Sequence, residues 1–253
     1  MACGAAALLP GCARLVATAP AAADGPEPRE RWQRVLTDFV DDQGRVDFER
    51  LASHRTDLDA YVAWVNHNGP DNRPTLFANP ADVLAYHLNA YNALAMHAIL
   101  DEGIPATLAG LKKVSFFYFK RVQVAGRSIS LYAYENDVIR ALKEPRVHFA
   151  LNCMSVACPR LPREPFDGGR LDAQLDREAR FFFNEPRNLR VDHAARTLQL
   201  SEILSFYTAD FLNTAPSLAA YVNRYRSTAV PTDYTVQFIP YDWTVNRQPK
   251  GGA

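Results

Sequence analysis

Strands that appear only after a helical first half, without regular βαβ alternation, place this chain in the α+β class, a helical N-terminal half packed on a mainly antiparallel sheet. Two observations support this. Residues 80–101 carry both the start and the stop signals of a long helix, and the turn-bounded runs at 115–131 and 188–200 read as hairpins. The 253 residues suffice for one sizeable core, and 48% apolar with 22% charged residues is ordinary for a globular domain.

In order along the chain, residues 24–30 read as a linker and 31–40 as a helix, with Trp32, Val35, Leu36, Phe39 and Val40 at helical spacing. A second helix is expected over roughly 47–66, with Leu51, Leu58, Val62 and Val65 inward. The Asn-, Gly- and Pro-rich stretch 66–74 is a loop. Asn79 suits an N-cap, Pro80 the first helical position and Asp82 the first turn, while Gly103 and Pro105 close the helix. Its body is apolar nearly all round, which predicts burial on most sides, yet it carries His87, Asn89, Asn92 and His97. Such groups need partners, so Asn89 and Asn92 either bond backbone or line a site.

A hairpin follows at 115–124 and 127–131, then a helix over 131–142 that Ser130 can cap, carrying Glu135 and Asn136. Pro145 ends it, and a strand is expected over 146–152. Residues 171–183 form an amphipathic helix, and 188–192 with 197–200 a second hairpin. A short helix near 201–211, a helical piece at 216–226 and a late strand at 235–240 complete the order. Residues 31–246 form a single domain, and 247–253 read as a disordered tail.

Lysine plus arginine equal aspartate plus glutamate at 28 each, which gives no reason to expect nucleic acid as a partner. No apolar run reaches the roughly 20 residues a membrane span requires. The alanine-rich, acid-free segment 1–23 resembles an export signal, which points to the periplasm or cell envelope. Leu9 to Cys12 resemble a lipoprotein cleavage box, so a lipid anchor is one outcome. Removal of the leader takes Cys3 and removes or lipidates Cys12, leaving Cys153 and Cys158.

Those two cysteines define the chemistry. The stretch 145–161, PRVHFALNCMSVACPRL, gathers His148, Asn152, Cys153 and Cys158. On a strand, His148 and Asn152 would share a face. Three readings stand side by side. A thiol nucleophile would use His148 as base, Glu135 or Asn152 to orient the ring, and Asn89 or Asn92 as oxyanion donor. A disulfide would pin the loop of a non-catalytic binding module. Zinc would need further ligands at a spacing unlike the common finger patterns. No cofactor motif is present: there is no GxGxxG, P-loop, HExxH or GxSxG. The substrate class left open is a small molecule or peptide. PheIleProTyrAspTrp at 238–243 reads as an aromatic anchor for the sheet.

Taken together, NAYNAL (89–94), VHFALNC-x4-CP (147–159), LDAQLD (171–176), LSEILSFY (200–207) and YDW (241–243) resemble the domain-of-unknown-function family numbered 547, over roughly residues 30–246. The resemblance carries the family's asparagine pair onto Asn89 and Asn92, its glutamate onto Glu135, its histidine onto His148 and its cysteines onto Cys153 and Cys158. A papain- or transglutaminase-like form of the α+β class is the architecture expected with it. A tryptophan is usual where this chain has His87, and a histidine where it has Asn136. If that histidine is the family's base, His87 or His148 must take its place here.

Overall fold

A computed structural model describes residues 27–249, so the alanine-rich leader with Cys3 and Cys12 lies outside the described residues. Helices α1 (Arg29–Phe39), α2 (Phe48–Ser53), α3 (Thr56–His67) and α4 (Pro80–Asp101) make up the first half. The single helix expected over 47–66 is two. The backbone leaves helical geometry at His54, and the break lets Arg55 reach Asp59 at 2.9 Å and Asp101 at 3.1 Å.

α4 is central. Asn79 Oδ1 accepts hydrogen bonds from the backbone N–H of Ala81 and Asp82. At the other end Gly103 takes a positive φ of 73°, and the amides of Gly103 and Ile104 return to Leu100 and Ile99. Every residue from Leu84 to Leu100 is buried, as the all-round apolar pattern requires.

The sheet expected from 115 onward is shorter. Strands β1 (Arg121–Val124) and β2 (Arg127–Ser130) pair antiparallel, but Ser115–Phe119 form a π-helical turn after the short helix α5 (Leu111–Val114). Alternation fails there because Phe116 and Phe117 are both buried, 4.9 Å apart, whereas a strand would send neighbours to opposite faces. The expected helix over 131–142 is present as α6 (Leu131–Ala133), a π-helical turn (Tyr134–Ile139) and a 3₁₀ turn (Arg140–Leu142).

Residues 146–152 are not a strand. Pro145–Phe149 is a 3₁₀ helix, with Pro145 in its first turn and the Glu144 carboxylate accepting the Arg146 amide. Val147, His148, Phe149 and Ala150 are all buried, so no polar face exists for His148 and Asn152 to share. The segment sits between two apolar clusters. Val147 and Ala150 belong to the first, built on α1, α3 and α4. Phe149 belongs to the second, 4.9 Å from both Phe182 and Phe183 of α7 (Leu171–Asn184). Burial of a phenylalanine contributes about 2 kcal/mol, which fixes the register of the residues that follow.

The second half holds β3 (Leu189–Asp192), β4 (Thr197–Ser201), α8 (Ile203–Phe206), α9 (Thr208–Leu212), α10 (Leu218–Val222) and β5 (Thr235–Ile239). β3 pairs antiparallel with β4, and β5 pairs parallel with β4 through a crossover that carries α8 to α10. The α+β class holds, with two of the three strand pairings antiparallel. Within the tail expected over 247–253, Arg247 bridges Val46, and the Gln248 side chain donates to the carbonyls of Phe39 and Arg45, while residues 250–253 lie outside the described residues.

Candidate functional site

The loop after the 3₁₀ helix is held by two asparagines. Asn92 on α4 donates to the Ala150 carbonyl at 3.0 Å and accepts the Asn152 amide at 2.7 Å. Asn152 in turn accepts the Met154 amide and donates to the Pro159 carbonyl, both at 2.7 Å, closing the loop across its base. Met154 accordingly takes a positive φ of 67°. The C-terminal segment pins the outside: the amides of Val156 and Ala157 donate to the carbonyls of Thr244 and Asp242.

This folding back puts Cys153 Sγ 2.7 Å from Cys158 Sγ, with both cysteines free. That separation lies between the roughly 2.05 Å of a disulfide and ordinary nonbonded contact, so the two sulfurs stand within bonding reach of each other. Cys158 Sγ also accepts the Cys153 amide at 3.0 Å, and Tyr241 Oη lies 3.0 Å from Cys158 Sγ and 3.3 Å from Cys153 Sγ. Ser155 Oγ sits 3.1 Å from Cys153 Sγ and donates to Tyr241 Oη at 2.9 Å. Burial alone raises the Cys158 thiol, but hydrogen bonds from Cys153, Ser155 and Tyr241 outweigh it and bring Cys158 below the ordinary thiol range. Burial and donation to Cys158 push Cys153 well up. The two thiols are thus pushed in opposite directions, Cys158 toward the thiolate and Cys153 toward the protonated form. Among the described residues no third histidine, cysteine or carboxylate joins the pair as a metal ligand, which leaves the zinc reading without a ligand set.

Both sulfurs line a cavity of about 360 Å³. Glu135, Asn136, Arg140 and His148 line it too, as do Tyr207 and Trp243. Glu135 comes from the π-helical turn and accepts hydrogen bonds from Tyr207 at 2.5 Å and Tyr91 at 3.2 Å. Burial and the Glu135 charge raise both phenols, so they stay protonated donors. His148 Nε2 lies 2.8 Å from Asp210 Oδ2, with Tyr207 stacked on the ring at 3.9 Å. Asp210 also accepts both arms of the Arg140 guanidinium, at 2.7 and 2.9 Å. Hydrogen bonds from His148 and Arg140 hold its carboxyl far below the usual range, so it is ionised and can only accept. Nε2 therefore carries the proton, and in the neutral ring Nδ1 holds the lone pair.

Four of the expected residues meet at this cavity: Cys153, Cys158, His148 and Glu135. Two corrections follow. Asn89 and Asn92 are not oxyanion donors, because buried structural bonds use both ends of each amide. Asn89 accepts from Trp32 Nε1 and the Phe166 amide and donates to the Phe166 carbonyl. The carboxylate that orients His148 is Asp210, neither Glu135 nor Asn152. Neither sulfur has an imidazole among its hydrogen-bond partners, although His148 shares their cavity. His87 does not substitute for the family's histidine: it lines a separate hollow, bonded to Tyr134 Oη at 2.9 Å. Asn136 does line the cysteine cavity, where its amide oxygen accepts from Arg140 at 2.5 Å.

Sequence reading missed Ser155, Tyr207, Asp210 and Tyr241. Tyr207 and Tyr241 stand inside motifs that carry the resemblance, and that signal was available. Nothing in the sequence ties Asp210 to His148 across 62 positions.

No curated protein matches the chain, and no solved structure does, which leaves a papain- or transglutaminase-like form without a structural parallel. The stretch 77–183, which supplies Asn89, Asn92, Glu135, His148, Cys153 and Cys158, is similar to the family described as Protein of unknown function, DUF547, whose model matches those residues.

Proposed function

We propose that the protein is a thiol-dependent hydrolase or acyltransferase, exported by its alanine-rich leader, acting on a small-molecule or peptide acyl group. The observation that carries this reading is a pair of free cysteines 2.7 Å apart and a carboxylate-oriented imidazole lining one cavity. Cys153, the less buried sulfur, attacks the acyl carbonyl, and its proton passes to Cys158 across the 2.7 Å contact. Tyr241, kept protonated by burial beside the two sulfurs, is the hydroxyl placed to donate to the oxyanion. His148, held through Nε2 by Asp210, takes up on its Nδ1 lone pair the proton that Cys158 received and passes it to the leaving group, and water or a second acceptor then releases the acyl group.

The test is mass spectrometry of the reduced protein with acyl thioesters and activated esters, together with turnover. An acyl adduct on Cys153 is expected. Cys153→Ser should lower turnover roughly 10³-fold or more, and His148→Gln roughly 10²-fold. An adduct on neither cysteine of the wild-type protein would end the acyl-transfer reading in favour of a binding module whose cysteines only hold the loop.

A further inference from the structure

The acyl-transfer reading uses one sulfur as nucleophile and the other as a proton store. It does not explain why the fold holds the two so close. A disulfide bond is about 2.05 Å long, and the free sulfurs stand at 2.7 Å. The loop between them is held independently of any bond. Asn152 closes its base, and hydrogen bonds from Val156 and Ala157 to Thr244 and Asp242 fix its outer edge. Nothing in the loop needs to refold for the sulfurs to join or part. The Tyr241 hydroxyl, which accepts from Ser155 and lies within reach of both sulfurs, supports the reduced form, so reduced and bonded states both have a place in the same frame.

We propose that Cys153 and Cys158 form a reversible dithiol–disulfide couple, and that the protein exchanges electrons with low-molecular-weight disulfides entering the aromatic-lined cavity.

The reaction balances without any further oxidant. Cys153 Sγ attacks one sulfur of the small disulfide as its proton passes to Cys158. A mixed disulfide forms on Cys153, and one small thiolate leaves. Cys158 then attacks the Cys153 sulfur of that mixed disulfide, its proton going to the second small thiol, which departs. The protein dithiol is oxidised by two electrons, and the small disulfide is reduced to two thiols. The reverse sequence regenerates the dithiol. Hydrogen bonds to a thiolate favour the reduced form, so the couple is poised toward oxidant strength, the side on which lowered-pKa dithiols fall. This activity stands apart from acyl transfer, although the bonded form has no free nucleophile and would be silent in it.

The experiment equilibrates the reduced full chain with buffers of reduced and oxidised glutathione, followed by acid quench and mass analysis without denaturation. The expected result is one internal disulfide per chain, two thiols released for each bond formed, and complete reversal by excess reduced glutathione. Cys158→Ser should accumulate a single glutathionyl adduct on Cys153, because the second step is blocked. Tyr241→Phe, which removes a donor to both sulfurs, should shift the equilibrium toward the disulfide by roughly tenfold. Cysteines that stay reduced in excess oxidised glutathione, or that pair only between chains or only after unfolding, would overturn the proposal. Failure to turn over esters alongside reversible bond formation would remove the acyl-transfer reading and leave this one intact.

Discussion

Replacement of Asn89 by leucine is expected to cost about 3–5 kcal/mol of folding stability, one of the largest single losses available in this chain. The amide serves three buried groups at once: the Trp32 indole N–H at 3.3 Å, and the Phe166 amide and carbonyl at 2.9 Å each. Leucine is close in volume, so the cost is not a cavity. It is the desolvation of three polar groups that lose their partner, at about 1–3 kcal/mol each before relaxation. Those groups belong to α1 and the segment before α7, and Asn89 to α4, so the bond set clamps three parts of the core. Urea unfolding measures the loss directly. A catalytic Asn89 would behave in the opposite way, with an intact midpoint and lost turnover, so a change below about 1 kcal/mol would contradict the clamp.

The second large effect is on acid stability. Burial lowers the His87 imidazolium to about 4, while a histidine in the unfolded chain titrates near 6.5. As pH falls from 6.5 toward 4 the unfolded state takes a proton that the folded state refuses, so folding stability declines across that window and not above it. The difference corresponds to about 3 kcal/mol. His87→Phe should flatten the slope between these values, at the expense of the bond to Tyr134 Oη. Chemical denaturation at a series of pH values reads both curves. Equal slopes for the two proteins would show that His87 is not the titrating group.

What could be read from the residues divides along a physical line. α4 was legible from end to end, because its limits are set locally by Asn79, Pro80 and Gly103 and its burial by an apolar pattern within one helix. The hairpin of β3 and β4 was legible for the same reason, since its turn is local. The 3₁₀ helix at Pro145–Phe149 was not. An apolar run of this length reads as a strand unless one knows that Val147 and Phe149 face different cores. The run Ser115–Phe119 misled similarly, since aromatic residues favour strands until tertiary packing asks two neighbours to turn to one side. Cys153, Cys158 and His148 stood out because they lie within eleven residues. Asp210 reaches His148 only through the crossover to β5, and Tyr241 reaches the sulfurs only through the return of the C-terminal segment. The asparagines show the converse: their residue type fits an oxyanion donor, but their partners make them clamps.

The central claim is that Cys153 and Cys158 share one proton at neutral pH, with the thiolate on Cys158 and the pair open to the cavity. The ultraviolet absorbance of thiolate in the reduced folded protein, followed as pH is lowered, tests it most directly. One thiolate per chain should persist below the ordinary cysteine value of about 8.5, and Cys158→Ser should abolish that low-pH signal. Two thiols that ionise together near or above the ordinary value would contradict the shared proton, and both chemistries built on it would fall.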